Sequence, residues 1–224
     1  ECVKGLGEAS TYLDFPVVSG NVSFYNQTKD IGIKPTPVIG GVGLIKDYKN
    51  MVTMDLKKTD NILLVIGKTE GHLDQSLFAR DILSEKNGPP PEINLFNEKN
   101  NGETILKLTD KNFIKSAHDI SLGGIITAVS KMCIKGKKGV TLKKPNYLIN
   151  KFEYLFGEDQ GRYIIEIEKS DLKNVAEILE KNSVHFDELA TVNDSDLIID
   201  DKSKVTIDEL TKSNTRWLTN YMNK

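Results

Sequence analysis

An α/β (α+β) chain is what three stretches of this sequence predict. Ile62-Leu63-Leu64-Val65-Ile66 is an unbroken apolar run of strand length, the pattern of a strand covered on both faces. Ser170 to Asn182 carries Leu172, Val175, Ala176 and Leu179 at the i, i+3, i+4, i+7 spacing of an amphipathic helix. Arg162 to Glu168 sets Tyr163, Ile165 and Ile167 against Ile164, Glu166 and Glu168, which reads as a strand with one wetter face.

With 224 residues, 38% hydrophobic and 28% charged, the chain is long and apolar enough to bury a core. A net charge of -2 supplies no field that would steer it to nucleic acid or to an anionic membrane, so neither is expected as a partner. The basic run Lys131, Lys135, Lys137, Lys138, Lys143, Lys144 and Lys151 reads as a solvated loop face. Cys2 and Cys133 lie far apart in sequence, and the simplest account is a reduced, cytoplasmic chain. No window approaches the roughly 18 to 20 apolar residues of a membrane span, and the N-terminus lacks a basic-then-apolar targeting pattern.

Taken in order, Glu1 to Thr11 ends in Gly7-Glu8-Ala9-Ser10, compatible with the close of a helix whose body lies upstream. Asp14 to Val18 reads as a short strand stopping at a Ser19-Gly20-Asn21 turn, whose composition permits positive φ and close backbone approach. Ser19, Asn21, Ser23 and Asn26 offer oxygen and amide groups without net charge. They suit phosphate oxygens, a sugar or the oxygen shell of Mg²⁺, although such a turn taken by composition alone is usually just a turn. Gln27 to Lys34 resembles a hairpin connection, and Pro37 to Ile45 a strand interrupted by Gly40, Gly41 and Gly43. The charged segment Lys46 to Asp60 holds the domain boundary.

Beyond it, Asp74 to Glu85 is expected to be a helix with Asp74 as N-cap and Leu77, Phe78 and Ile82 inward. Asn87-Gly88-Pro89-Pro90-Pro91 ends it. Glu103 to Ser116 is read as a second helix. His118-Asp119-Ile120-Ser121 closes a strand, and Gly123-Gly124 opens a helix buried through Ile125, Ile126, Val129 and Met132. Amides at that turn would make Gly123 and Gly124 neighbours of an anion. His118 and Asp119 read as a hydrogen-bonded structural pair, and His185 as structural with no evident partner. Gly157-Glu158-Asp159-Gln160-Gly161-Arg162 could hold a metal or an anion, and a tight turn with an internal contact between Arg162 and a carboxylate is the competing reading. Phe186 to Val192, Asp196 to Asp200 and Lys204 to Ile207 give short strands. Thr206 and Glu209 then form a capping box for a last helix that buries Leu210, Trp217, Leu218 and Tyr221.

Several of these stretches also carry a family resemblance. Gly7-Glu8-Ala9-Ser10, the run PVVSGNVSFYNQT from Pro16 to Thr28, and Pro35 to Gly43 resemble the second half of phosphoribosylformylglycinamidine synthase, synthetase component. The likeness continues through Leu73 to Leu77, Gly88 to Pro91, Ala117 to Gly124 and Phe156 to Arg162, and so covers most of the chain. This family is similar to aminoimidazole ribonucleotide synthetase, in which a half-barrel N-type domain pairs with an α/β C-type domain of mixed sheet and flanking helices, and the full synthetase carries the pair twice.

The resemblance implies that Glu1 to Lys46 is the tail of the second, ATP-binding N-type half-barrel domain, Asp47 to Asp60 a linker and Asn61 to Lys224 the second C-type domain. It implies an ATP-dependent carbon-nitrogen ligase of purine biosynthesis, in which formylglycinamide ribonucleotide is phosphorylated on its amide oxygen and glutamine-derived ammonia displaces phosphate. ATP and Mg²⁺ are the implied cofactors, and a glutaminase subunit and a small accessory subunit the implied partners. By position, Gly20 matches the family's ATP-contacting glycine, Asn21 its Mg²⁺-coordinating amide and Ser23 a serine that contacts the ribonucleotide. The family's catalytic histidines and carboxylate metal ligands match nothing in this chain, so no catalytic residue is expected in it and the chain alone is expected to be inactive. The family usually has an acidic residue where Leu122 stands, and that carboxylate's role does not carry over. The start at Glu1 instead of Met fits a piece of a longer polypeptide, and as a fragment the chain could pair with its own copies. A non-catalytic scaffold, or another ATP-using member of the superfamily, is the alternative.

Overall fold

The computed structural model describes residues 1–21, 26–34 and 36–223. Contacts divide it into two units, Glu1–Lys46 and Asp47–Lys224. In the first, helix α1 (Cys2–Tyr12) is followed by extended chain and a two-rung hairpin of β1 (Gln27–Thr28) and β2 (Ile31–Gly32), which turns at Lys29 with φ 54. The helix takes in Gly7-Glu8-Ala9-Ser10 and runs on to Tyr12. The strands expected at Asp14 to Val18 and Pro37 to Ile45 do not form. Both stretches are exposed and find no partner strand among the described residues; their contact is the Phe15 ring against Gly41, where a Cβ would stand 3.3 Å from it.

The second unit is built on a seven-stranded mixed sheet. Its strands are β3 (Ile62–Ile66), β4 (Ile114–Ile120), β5 (Gly139–Leu142), β6 (Arg162–Ile167), β7 (Phe186–Asn193), β8 (Asp196–Asp200) and β9 (Ser203–Thr206). They lie in the order β4-β6-β3-β7-β5-β8-β9, with β5 and β8 parallel and every other pair antiparallel. β3 lies inside the sheet between β6 and β7, and its unbroken apolar run follows from being covered on both faces. Leu63 and Val65 enter one core with Ile125, Val129 and Met132 of α4 (Gly124–Gly136) and with α5 (Lys151–Phe156). Ile62, Leu64 and Ile66 enter the other, with Leu108 of α3 (Leu95–Asp110) and Val175 and Leu179 of α6 (Leu172–Lys181). A polar residue anywhere in the run would face one apolar layer or the other.

Helix α2 is only Leu77–Asp81. Ser76, not Asp74, is its N-cap, because Gln75 stands at φ 61 and Ser84 at φ 59, left-handed residues that a helix from Asp74 to Glu85 could not contain. Ile82 consequently points to solvent. The second predicted helix starts earlier, at Leu95 behind the cap Asn94, and stops at Asp110. Asn112 at φ 60 then turns the chain, and Ile114 to Ser116 belong to β4.

Helix α7 (Ile207–Met222) has the expected Thr206 and Glu209 capping box, yet only its first turns reach the core, through Ile207 and Leu210. Trp217, Leu218 and Tyr221 are exposed, so periodicity predicts the stripe correctly and its burial wrongly.

β6 departs further from expectation. Glu166 lies on no wet face but is fully buried, with its carboxylate taking hydrogen bonds from the Lys57 and Lys58 amides, Asn61 Nδ2 (2.7 Å) and Ser116 Oγ (2.8 Å). A buried carboxylate is tolerable only with donors of this number and kind. The same bonds fix the chain entering β3, where Leu56 is also buried.

Candidate functional site

Three loops meet beyond the end of β3, and two adjacent carboxylates hold them. β3 gives way to a turn at Gly67, φ +94, where a Cβ would stand 2.8 Å from the Gly161 carbonyl oxygen; only glycine fits. The following loop wraps Asp159. Its Oδ2 accepts from the Glu70 and Gly71 amides at 3.1 and 3.0 Å, and its Oδ1 from the His72 amide at 3.0 Å. Arg162, 2% exposed, lies behind it. Its Nε donates to the Asp159 carbonyl, Nη1 to Thr69 Oγ1 and Nη2 to the Gly157 carbonyl, at 3.1, 3.0 and 2.7 Å. Nη1 also stands 3.5 Å from Asp159 Oδ2. Burial pulls the guanidinium's pKa down and the neighbouring Asp159 charge opposes that pull. The arrangement is the tight turn with an internal arginine and carboxylate contact, and all Asp159 oxygens are engaged within the protein.

Glu158 ties the other two loops. Its Oε1 accepts from the Leu77 amide, at the start of α2, and from the Gly123 amide, just before α4, both at 2.8 Å, while its own amide donates to the His72 carbonyl. Gly123 and Gly124 are left-handed, φ +84 and +68, and a Cβ on Gly124 would stand 2.7 Å from the Leu155 carbonyl oxygen. The Gly124 amide donates to Ser121. The anion beside this glycine pair is therefore the chain's own carboxylate, which corrects the expectation of a phosphate there: both amides are already bonded. His118 and Asp119 are also not the hydrogen-bonded pair expected. Nδ1 and Oδ1 are 3.0 Å apart without an aligned bond, and both ring nitrogens are buried with no hydrogen-bond partner.

Beside these loops opens a polar cleft of about 910 Å³, walled by Lys68, His72, Asn94, Glu98, Gln160 and His185 among others. Burial raises the Glu98 carboxyl's pKa, opposed by the Gly161 amide bonded to it. His185, which the sequence leaves unpartnered, faces Asp187 Oδ2 at 3.1 Å. Among the described residues no group of three or more His, Cys, Asp or Glu is placed to hold a metal ion.

In the first unit, Gly20 and Asn21 lie side by side in exposed, irregular chain, and Ser23 falls outside the described residues. A Cβ on Gly20 would meet nothing within 4 Å, so no packing inside this unit demands glycine there. Its open main chain and the adjacent neutral amide oxygen are what the two residues offer a ligand. Asn21 fits Mg²⁺ by donor type, as one neutral oxygen of a six-oxygen shell.

Two structural roles are not read from the sequence: Glu158, weighed there only for a metal or an anion, as a loop tie, and Glu166 as a buried anchor. A signal for the second is present: one glutamate inside the otherwise apolar Tyr163-Ile164-Ile165-Glu166-Ile167.

The family described as AIR synthase related protein, C-terminal domain, matches residues 58–202. The chain is 84% identical over 222 residues to phosphoribosylformylglycinamidine synthase subunit PurL of Pelagibacter ubique, covering 99% of this chain and 30% of that one. It is 41% identical over 220 residues to the same subunit of Bartonella bacilliformis, covering 98% and 30%. The chain thus spans under a third of the length of these relatives. Among solved structures, Thermotoga maritima PurL complexed with FGAR superimposes with a TM-score of 0.60 at 18% identity, over 73% of this chain and 30% of that one. Escherichia coli HypE, a hydrogenase maturation protein, does so with 0.51 at 17%, over 71% and 52%. At these identities the structural likeness shows a shared fold.

Proposed function

This chain belongs to the AIR synthase related protein family, and from that premise we propose that it is the C-terminal portion of the synthetase subunit of phosphoribosylformylglycinamidine synthase. The observation that carries the proposal is the 84% identity to a PurL subunit, sustained over 99% of the chain. The whole subunit would be an ATP-dependent carbon-nitrogen ligase of purine biosynthesis. It would convert formylglycinamide ribonucleotide, ATP and glutamine-derived ammonia to formylglycinamidine ribonucleotide, ADP and phosphate. On this reading Glu1 to Lys46 is the tail of an ATP-binding N-type domain, Asp47 to Asp60 a linker and Asn61 to Lys224 a C-type domain. A glutaminase subunit and a small accessory subunit are its partners, in the cytoplasm. No helix among the described residues is long and apolar enough to cross a membrane.

This chain's part is to position. The open main chain at Gly20 lets a nucleotide approach closely, and the Asn21 carbonyl oxygen is a hard, neutral donor toward the cation on its phosphates. Ser23, one side-chain hydroxyl further on, can both donate to and accept from the ribonucleotide. Mg²⁺, when bound, screens charge on the transferring phosphoryl group. The base and the carboxylate ligands come from outside these residues.

A second reading applies to the larger unit. Because Glu158 fills the place beside Gly123 and Leu77, this unit would act as a scaffold that supports a site elsewhere in the subunit. Both readings meet one assay: the isolated chain and the full-length subunit, each with ATP, formylglycinamide ribonucleotide and ammonium. Product from the subunit and none from the chain is expected. Turnover by the chain at the subunit's rate would show that the remainder supplies nothing essential, and a subunit unable to form the amidine would overturn the reaction assigned.

A further inference from the structure

Away from both places described above, a second cavity of about 270 Å³ opens between the end of β5, the loop leading into α5, and β8. Its wall is apolar, from Leu142, Tyr147, Ile149, Leu155 and Ile199. Those residues are held from behind. The Lys143 amide donates to the Leu189 carbonyl at 2.8 Å, Asn150 and Glu153 form a reciprocal cap that fixes the start of α5, and Leu155 is core. The cavity is therefore a formed pocket in the packed unit.

Its mouth is cationic. Lys143, Lys144 and Lys151 line it together with one acid, Asp200. Lys143 is bonded to Glu188 and Lys151 to Asp200, whose carboxyl is held far below the usual range by that lysine. Lys144 has no ion pair among the described residues, so the mouth retains one uncompensated ammonium beside apolar walls.

We propose that this pocket binds a small monocarboxylate with an apolar body, its chain or ring against Leu142, Tyr147 and Ile199 and its carboxylate at Lys144. At about 270 Å³ the space lies just below the usual range for drug-sized ligands and suits an acid of about eight carbons. Apolar burial supplies the attraction, and the single ammonium selects the head group. Leu155 and Tyr147 also adjoin Gly124 and the Arg162 turn, but the inference does not rest on the ligase reading.

Sodium octanoate is the probe, titrated into the full 224-residue chain and followed by methyl resonances, with 1-octanol and octylamine as bodies of like size and different head. Saturable shifts confined to Leu142, Leu148, Leu155 and Ile199 are expected, with octanoate bound more tightly than octanol and octylamine least. Lys144→Ala, an exposed change that leaves the fold intact, should weaken octanoate about two- to fivefold, leave octanol unchanged and lose the added salt dependence. Equal binding of octanoate and octanol would overturn the proposal in favour of a seat for an apolar side chain of a partner. Shifts that do not saturate, or that spread outside the pocket, would overturn it outright.

Discussion

One oxygen of Glu158 lies 2.8 Å from the Gly123 amide nitrogen and equally close to that of Leu77, so a single side chain joins the turn before α4 to the start of α2. Its removal leaves two amides without their partner. Glu158→Ala should lower stability by about 1 to 3 kcal/mol, and hydrogen exchange at Leu77 and Gly123 should accelerate more than exchange in β3. Unchanged protection at both amides would mean that the tie is dispensable.

Arg162 is expected to be the most sensitive position in the turn. Replacing it by methionine leaves Asp159 buried without its countercharge and should cost about 3 to 5 kcal/mol. Arg162→Lys should rescue little, because an ammonium cannot serve three acceptors spread over Asp159, Thr69 and Gly157. Chemical denaturation of both variants measures this, and full stability in the lysine variant would refute the geometric argument.

Glu166→Gln tests the buried anchor. The amide keeps one acceptor oxygen but places an NH₂ group where backbone amides of Lys57 and Lys58 already point, so the segment before β3 should loosen. Limited proteolysis should nick Thr53 to Asn61 in the variant and not in the parent chain. Cleavage at equal rates would contradict the anchoring role.

Cys133 supplies a pH dependence. Burial pushes its thiol up to about 12, so between the ordinary thiol pKa near 8.5 and that value the unfolded chain has lost a proton that the folded chain keeps. The unfolded state then binds fewer protons, and this group's contribution makes stability fall as pH rises, by at most about 1.4 kcal/mol per pH unit. Cys133→Ala removes that contribution. Its stability deficit relative to the parent should shrink from pH 8 to pH 10, and a constant deficit would be contrary evidence. In the folded chain exposed Cys2 should react with a thiol reagent while Cys133 does not.

How much of this was legible in the sequence depends on what decides each feature. The run Ile62 to Ile66 and the stripe Leu172 to Leu179 are set by local periodicity, and both elements form where the pattern puts them. The stripe Trp217, Leu218, Tyr221 has the same periodicity and stays exposed, because burial depends on whether the core extends that far, which no local pattern encodes. Helix ends moved for a similar reason. Gln75, Ser84 and Asn112 take left-handed backbone, which their residue types permit without announcing. At the loops the residue types pointed to anion chemistry, but the partner proved to be Glu158, some 35 residues from Gly123 in sequence. Residue chemistry points to Asn21 and the family resemblance gives Gly20 and Asn21 their roles, and among the described residues a Cβ on Gly20 would meet nothing within 4 Å.

The central claim is tested most directly at Asn21, in the full-length subunit. Steady-state turnover of formylglycinamide ribonucleotide against free Mg²⁺, with melting temperatures alongside, compares the parent with Asn21→Ala. Loss of one oxygen from a cation that demands near-octahedral geometry should raise the Mg²⁺ requirement and cut turnover about tenfold to a thousandfold, roughly 1.4 to 4 kcal/mol in barrier, with little change in melting. Unchanged turnover and Mg²⁺ dependence would reduce Asn21 to a turn residue and contradict the ligand role, and a fall in melting as steep as the fall in activity would make that role structural.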